Sequence, residues 1–254
     1  MGILDGRHAL ITGGGTGIGA AIARALAGAG AAISLSGRRL EPLQEVARGL
    51  PKATGIIADV AREADTEAMV KAARVAHGPV DILIANAGAA ESAPFARIDL
   101  AHWQRMLDVN LTGSFLTARA ALPDVARKGC EGRIVFVAST AGLKGYAYIA
   151  AYSASKHGVI GLMRSLAAEL APTGTTVNAV CPGYVETPLL EASLANITAK
   201  TGRARDEAAA TLQKNNPQGR FVTPEEVADT VLWLCSPGAQ SINGQAISIS
   251  GGEV

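Results

Sequence analysis

A chain of 254 residues, 48% hydrophobic and 18% charged, has the length to bury a substantial core in one large α/β domain. Its formal net charge of +1, with no run of like charges, excludes a nucleic-acid footprint and points to a small molecule as partner. Neither a signal peptide nor a membrane-spanning run is visible, and Cys130, Cys181 and Cys235 have neither metal-ligand spacing nor an even count, so a cytoplasmic protein with reduced thiols, no membrane contact and no metal site is expected.

Apolar runs rich in β-branched residues predict strands at His8 to Thr12, Ala32 to Ser36, Thr54 to Ala58, Val80 to Ala85, Arg133 to Ala138, Thr175 to Val180 and Ala246 to Ser250. Helical spacing predicts helices from Gly17 to Ala29, Leu40 to Leu50, Ala64 to Ala76, Leu100 to Lys128, Tyr152 to Ala171 and Pro224 to Cys235. The last opens on the capping box Thr223-Pro224-Glu225-Glu226. This alternation predicts an α/β chain in a single domain, a Rossmann fold whose seven-stranded parallel sheet carries helices on both faces. Residues 188–218 break the alternation, because Gly202 and Pro217 interrupt helical patches; an insertion at a strand's carboxyl end reads as a substrate lid.

The first strand runs straight into Thr12-Gly13-Gly14-Gly15-Thr16-Gly17-Ile18-Gly19 and then an Ala-rich helix. Glycines at that turn let the backbone approach a pyrophosphate, which the positive end of the following helix favours. Farther on, Ser139 stands at the carboxyl end of the fifth strand, and Tyr152 and Lys156 lie one helical turn apart. An ammonium beside a phenol is expected to lower the phenol's pKa. Alone, Tyr-x-x-x-Lys is more often a half-buried tyrosine beside a solvated lysine; its place behind Ser139 and a nucleotide turn is what makes it a candidate site. His8, His77, His102 and His157 form no metal-like cluster and read as surface or structural. Tyr146 and Tyr148 lie between Ser139 and Tyr152, where they either line a substrate pocket or pack.

Taken in order, these motifs resemble the short-chain dehydrogenase/reductase family over essentially the whole chain. Asn110, Ser139, Tyr152 and Lys156 fall where that family has its catalytic tetrad. Gly13, Gly15, Thr16, Gly17, Ile18 and Gly19 match its coenzyme turn, although no basic residue stands at Thr16. Asp59-Val60 is similar to the adenine-contacting pair and Asn86-Ala87-Gly88 to the turn over the coenzyme, with Ala85 where an asparagine is usual. Val109 resembles the residue beside the nicotinamide ribose, and Pro182-Gly183 with Val185 and Thr187 the segment that holds the carboxamide.

The resemblance implies hydride transfer between a nicotinamide and a carbonyl carbon. Tyr152 would donate the proton, Ser139 would hydrogen-bond the carbonyl oxygen, Lys156 would lower the Tyr152 pKa and bind the ribose, and Asn110 would hold a relay water. NAD-linked relatives carry an acid after the second strand; here Gly37-Arg38-Arg39 puts two guanidiniums where a 2′-phosphate would lie, so NADP(H) is the expected coenzyme, with NAD(H) possible. The run from Ala138 to Leu190 looks like ketoreductases of polyketide or β-ketoacyl thioester synthesis, which makes a ketone, in particular a β-keto acyl group, the expected substrate. The alternatives are an NAD-dependent alcohol or 3-hydroxyacyl-CoA dehydrogenase working oxidatively, and a nucleotide-sensing scaffold without catalysis. A homotetramer is implied by the family and by the apolar Ile160 and Ala168, which lie off the Leu162, Leu166 and Leu170 stripe. Arg127-Lys128 resembles part of a carrier-protein docking patch, but Thr173 in place of a second basic residue counts against such a partner.

Overall fold

The computed structural model describes residues 2–127 and 131–254. Lys128 and Cys130 lie outside the described residues.

Seven strands form one parallel sheet: β1 (His8–Thr12), β2 (Ala32–Gly37), β3 (Ala53–Ile57), β4 (Ile82–Ala85), β5 (Arg133–Val137), β6 (Thr176–Pro182) and β7 (Ala246–Ile249), in the order β3-β2-β1-β4-β5-β6-β7. Leu10 of β1 lies opposite Ser34 on one side and Leu83 on the other. The chain winds outward from β1 to β3 and then returns to the far side of β1 with β4, so the direction of winding reverses between β1 and β4. In an open parallel sheet that reversal leaves a crevice beyond the strands' carboxyl ends, where ligands bind.

Alternating side chains divide the core into two layers. Ile11, Ile33, Leu35, Ile84, Val135 and Val137 face α1 (Gly17–Gly28), α2 (Leu40–Arg48) and α9 (Pro224–Cys235), while Leu10, Leu83, Ile134, Phe136 and Ala179 face α3 (Glu63–His77), α5 (Gly113–Val125) and α6 (Ala150–Leu170). Both faces are thus covered, which is why the strands read as unbroken apolar runs. The capping box at Thr223 is formed: Thr223 Oγ1 accepts from Glu226 N and Glu226 Oε2 accepts from Thr223 N.

Two expectations need correction. The single helix from Leu100 to Lys128 is two, α4 (Leu100–Leu107) and α5, joined by one π-helical turn at Asp108–Thr112. There the fully buried Asn110 bonds the backbone of a distant loop, a demand that helical periodicity does not reveal. In α6 the core stripe is Lys156, Val159, Ile160, Met163, Ala167 and Leu170; Ile160 belongs to the core, whereas Leu162 and Leu166 are only partly buried. Residues 188–218 form helical patches as expected, the first closed by Gly202 in a left-handed conformation: α7 (Pro188–Thr201) and α8 (Arg205–Gln213) enclose a small core of Leu190, Leu194, Ala208, Ala209 and Phe221. Strand limits differ from expectation by one or two residues, as at β3 and β6. Among the described residues no helix is long and apolar enough to cross a membrane.

Candidate active site

A cavity of about 600 Å³ opens at the crevice between β1 and β4. Gly13, Thr16, Gly17, Ile18 and Gly19 line it from the first turn, Asn86, Ala87 and Gly88 from the turn after β4, and Pro182, Gly183, Val185 and Thr187 from the end of β6. Asn110, Ser139, Tyr152 and Lys156 line it as well. The structure therefore brings sixteen residues from distant motifs to one cavity.

Six further candidates lie outside that lining. Gly15 packs toward α2, where a Cβ would come within 3.1 Å of Pro42. Asp59 is tied locally, its Oδ1 accepting from Ala61 N at 3.0 Å, and Val60 is buried against Gly113. Val109 is half-buried in the π turn. Arg38 and Arg39 are exposed just past β2, and neither guanidinium has a salt bridge among the described residues.

The glycine turn has the properties a diphosphate requires. Gly13 and Gly17 take φ of +66° and +52°, which side chains disfavour, and a Cβ on Gly19 would fall 2.6 Å from Asn86 Nδ2. Thr16 caps α1 without any side-chain bond and the first turn carries no acid, so the helix's free N–H groups and positive end remain for an anion. Thr12, to which the sequence motif assigns no role, pins the opposite wall. Its Oγ1 accepts from Asn86 N and Ala87 N, each at 3.1 Å, while Asn86 Nδ2 donates to Thr12 O at 2.8 Å. These bonds hold the turn although Ala85 replaces the usual asparagine.

At the reacting end, Ser139 is extended and its Oγ accepts from Ala141 N at 3.1 Å, which fixes the hydroxyl at the end of β5. Lys156 is 5% exposed, and its Nζ donates to Val137 O at 2.8 Å and lies 5.8 Å from the Tyr152 ring centroid. Burial pushes the Lys156 ammonium down to about 8. The expected lowering of the Tyr152 pKa is not what this arrangement yields. Burial pushes the phenol upward, and the Ser139 hydroxyl opposes that shift without cancelling it. A Cβ on Gly88 would sit 2.9 Å from Asn110 Oδ1 and 3.6 Å from Lys156 Nζ, so these two groups flank the same glycine.

Of the two loop tyrosines, Tyr146 lines the cavity and Tyr148 does not; Tyr148 is 66% exposed with a φ of +70°. Leu189, Leu190 and Ile197 reach the cavity from α7, joined by Leu212 from α8. Asn196 Nδ2 donates to Ser92 Oγ at 3.0 Å and Lys200 Nζ to Ser92 O at 3.2 Å, which ties α7 to the loop after β4. His8 is structural, with Nδ1 2.8 Å from Gly78 O and Nε2 2.9 Å from Ser34 Oγ. Arg127 is engaged by Asp81 and by the Asp124 carbonyl, so it is not an open docking cation.

A family model described as short chain dehydrogenase matches residues 7–198. The "Monensin polyketide synthase putative ketoacyl reductase" of Streptomyces virginiae is 41% identical over 97% of this chain and 96% of its own length. The D-beta-hydroxybutyrate dehydrogenase of Rhizobium meliloti is 37% identical over 97% of this chain and 98% of its own. The crystal structure of a single-site variant of actinorhodin polyketide ketoreductase with NADPH superposes with a TM-score of 0.92 at 38% identity, covering 97% of each chain. With this match in sequence and in fold, the chain belongs to the short-chain dehydrogenase/reductase family and is a nicotinamide-dependent oxidoreductase of carbonyl and alcohol groups.

Proposed function

We propose that this chain reduces a ketone with NADPH, and that Asn110, Ser139, Tyr152 and Lys156 carry the chemistry. The observation that carries the reading is the convergence of Ser139, Tyr152 and Lys156 with the glycine turn in one cavity. A bound nicotinamide supplies the hydride that the carbonyl carbon accepts. Tyr152 gives its phenolic proton to the oxygen as negative charge develops there, and the Ser139 hydroxyl donates a hydrogen bond to the same atom. Lys156 stabilises the phenolate left behind and binds the ribose hydroxyls. Asn110 ties the loop after β4 to the π turn and keeps Gly88 close to Lys156.

The preference for NADPH rests on Arg38 and Arg39, exposed past β2 and without salt bridges among the described residues, in a stretch Ser36-Gly37-Arg38-Arg39 that holds no acid. A β-keto group on an acyl or polyketide-like chain suits the apolar end of the cavity, which Leu189, Leu190, Ile197 and Leu212 line. The ketoacyl reductase relatives support the same choice. A second reading, oxidation of a hydroxyacyl substrate with NAD, is favoured by the D-beta-hydroxybutyrate dehydrogenase relative. The chain works in this account as one catalytic domain with residues 188–218 as lid, assembled as a homotetramer through surfaces that include the partly exposed Leu162 and Leu166 of α6. Steady-state assay with both coenzymes against a panel of β-keto thioesters, cyclic ketones and the matching alcohols tests it. Higher kcat/KM with NADPH on a ketone is expected, and higher kcat/KM with NADH on an alcohol-ketone pair would favour the second reading.

A further inference from the structure

Glu253, in the stretch that follows β7, is an acid in a place where the mechanism makes no use of one. Its side chain is 4% exposed, and a carboxylate so deeply buried persists only with partners. It has two. Lys144 Nζ lies 3.2 Å from Glu253 Oε1 and donates also to the Glu253 carbonyl at 3.4 Å, and the Tyr146 hydroxyl donates to Oε1 at 2.7 Å. The Lys144 ammonium in turn sits 5.0 Å from the Tyr146 ring centroid. Glu253 does not line the cavity, whereas Tyr146 does.

The hydrogen-bond inventory then fixes how Tyr146 faces a substrate. A phenol has one proton and an ionised carboxylate can only accept, so that proton belongs to Glu253. The Thr140 hydroxyl, 2.8 Å from the phenol oxygen, consequently gives its own proton to Tyr146. With both bonds made, Tyr146 has no donor left and shows the cavity its ring. Elsewhere the loop is held through its backbone, with Tyr148 O accepting from Ala93 N at 2.8 Å and Thr140 O accepting from Leu143 N and Lys144 N, while Gly145 precedes Tyr146 and Tyr148 is exposed in a left-handed conformation. This loop joins Ser139 to Tyr152, so its position sets the wall beside the reacting carbonyl.

We propose that Glu253 is a positioning residue for substrate recognition. By taking the proton of Tyr146 it fixes that ring as a wall of the cavity, and so selects substrates that lay a flat or apolar segment against it rather than a group needing a hydrogen-bond donor. The selectivity rests on the reductase reading above; the link between Glu253 and Tyr146 does not.

The test is a double-mutant cycle of Glu253→Ala and Tyr146→Phe, with Glu253→Gln as the conservative variant, read by kinetics and by thermal unfolding. Glu253→Ala should raise KM for an apolar ketone about tenfold, the scale of one lost hydrogen bond, and by more than it lowers kcat. Glu253→Gln, whose amide oxygen can still accept from Tyr146, should recover most of that loss. In the Tyr146→Phe background Glu253→Ala should add little to KM, and should lower the melting temperature by less than it does in the wild-type background, the remainder being the loss of the Lys144 pair. Additive effects in the melts overturn the proposal whatever the turnover, as does a Gln variant no better than Ala. Strong coupling in the melts with no ketone reduced by the wild-type chain would instead sink the reductase reading and support the link between Glu253 and Tyr146.

Discussion

The Asn110 carboxamide satisfies both backbone groups of Ala89: Oδ1 accepts from Ala89 N at 3.0 Å and Nδ2 donates to Ala89 O at 2.9 Å. Nδ2 donates as well to Met106 O at 3.0 Å, so both amide protons are committed and only part of Oδ1 remains for a water. Asn110→Ala would leave three backbone groups without these partners, each costing about 1–3 kcal/mol where it stays dry. Since about 1 kcal/mol moves the melting temperature of a domain this size by roughly 2–4 °C, the variant should melt several degrees lower even without coenzyme. An unchanged melting temperature would show that Asn110 acts through water alone.

In the NADPH reading, coenzyme choice turns on the end of β2. Hydrogen bonds to a charged group are worth about 1.5–3 kcal/mol, so Arg38→Ala should weaken NADPH binding roughly 10- to 100-fold and leave NADH little affected. Titration of both coenzymes by fluorescence checks this. Equal losses for the two would assign Arg38 to the adenine or to the fold rather than to a 2′-phosphate.

The alternation of strand and helix, the glycine turn and the Tyr152 to Lys156 spacing are local patterns, which is why they are legible in the sequence. The π turn is not. Its cause is the bonding of Asn110 to a residue 21 positions away, while the apolar spacing from Leu100 to Val125 runs on as in one helix. Glu253 is invisible for the same reason, since 107 positions separate it from Tyr146 and no motif joins them. Periodicity places Tyr152 and Lys156 on one helical face, but whether charge or burial governs their titration depends on how far the fold buries them, which a spacing does not contain.

Burial of Lys156 has a pH signature of definite sign. Its pKa falls from the ordinary lysine value of 10.5 to about 8 in the fold, so between these values the unfolded chain binds the extra proton and this group makes stability rise with pH. The cost of the buried charge is fully present below about 8 and is relieved as pH climbs through that value toward 10.5. Lys156→Met should therefore gain stability relative to wild type near pH 7, and the difference should narrow by about pH 9.5 in denaturant titrations. Over the same range kcat/KM for NADPH, which reports the free enzyme, should fall for wild type as the ammonium loses its proton. A difference that stays constant with pH, together with a flat kcat/KM profile, would mean that Lys156 keeps its charge.

The central claim, that Tyr152 is the proton donor of a carbonyl reduction, is tested most directly by single-turnover kinetics of Tyr152→Phe against wild type with NADPH and a ketone that the wild-type enzyme reduces. The substitution keeps the ring that lines the cavity and removes only the hydroxyl. General acid catalysis contributes about 10²- to 10⁴-fold, so the chemical step should slow by that factor while NADPH affinity stays within about threefold of wild type. A variant that keeps more than about a tenth of the wild-type rate in the chemical step would contradict the assignment, because a true general acid cannot be removed at so small a cost.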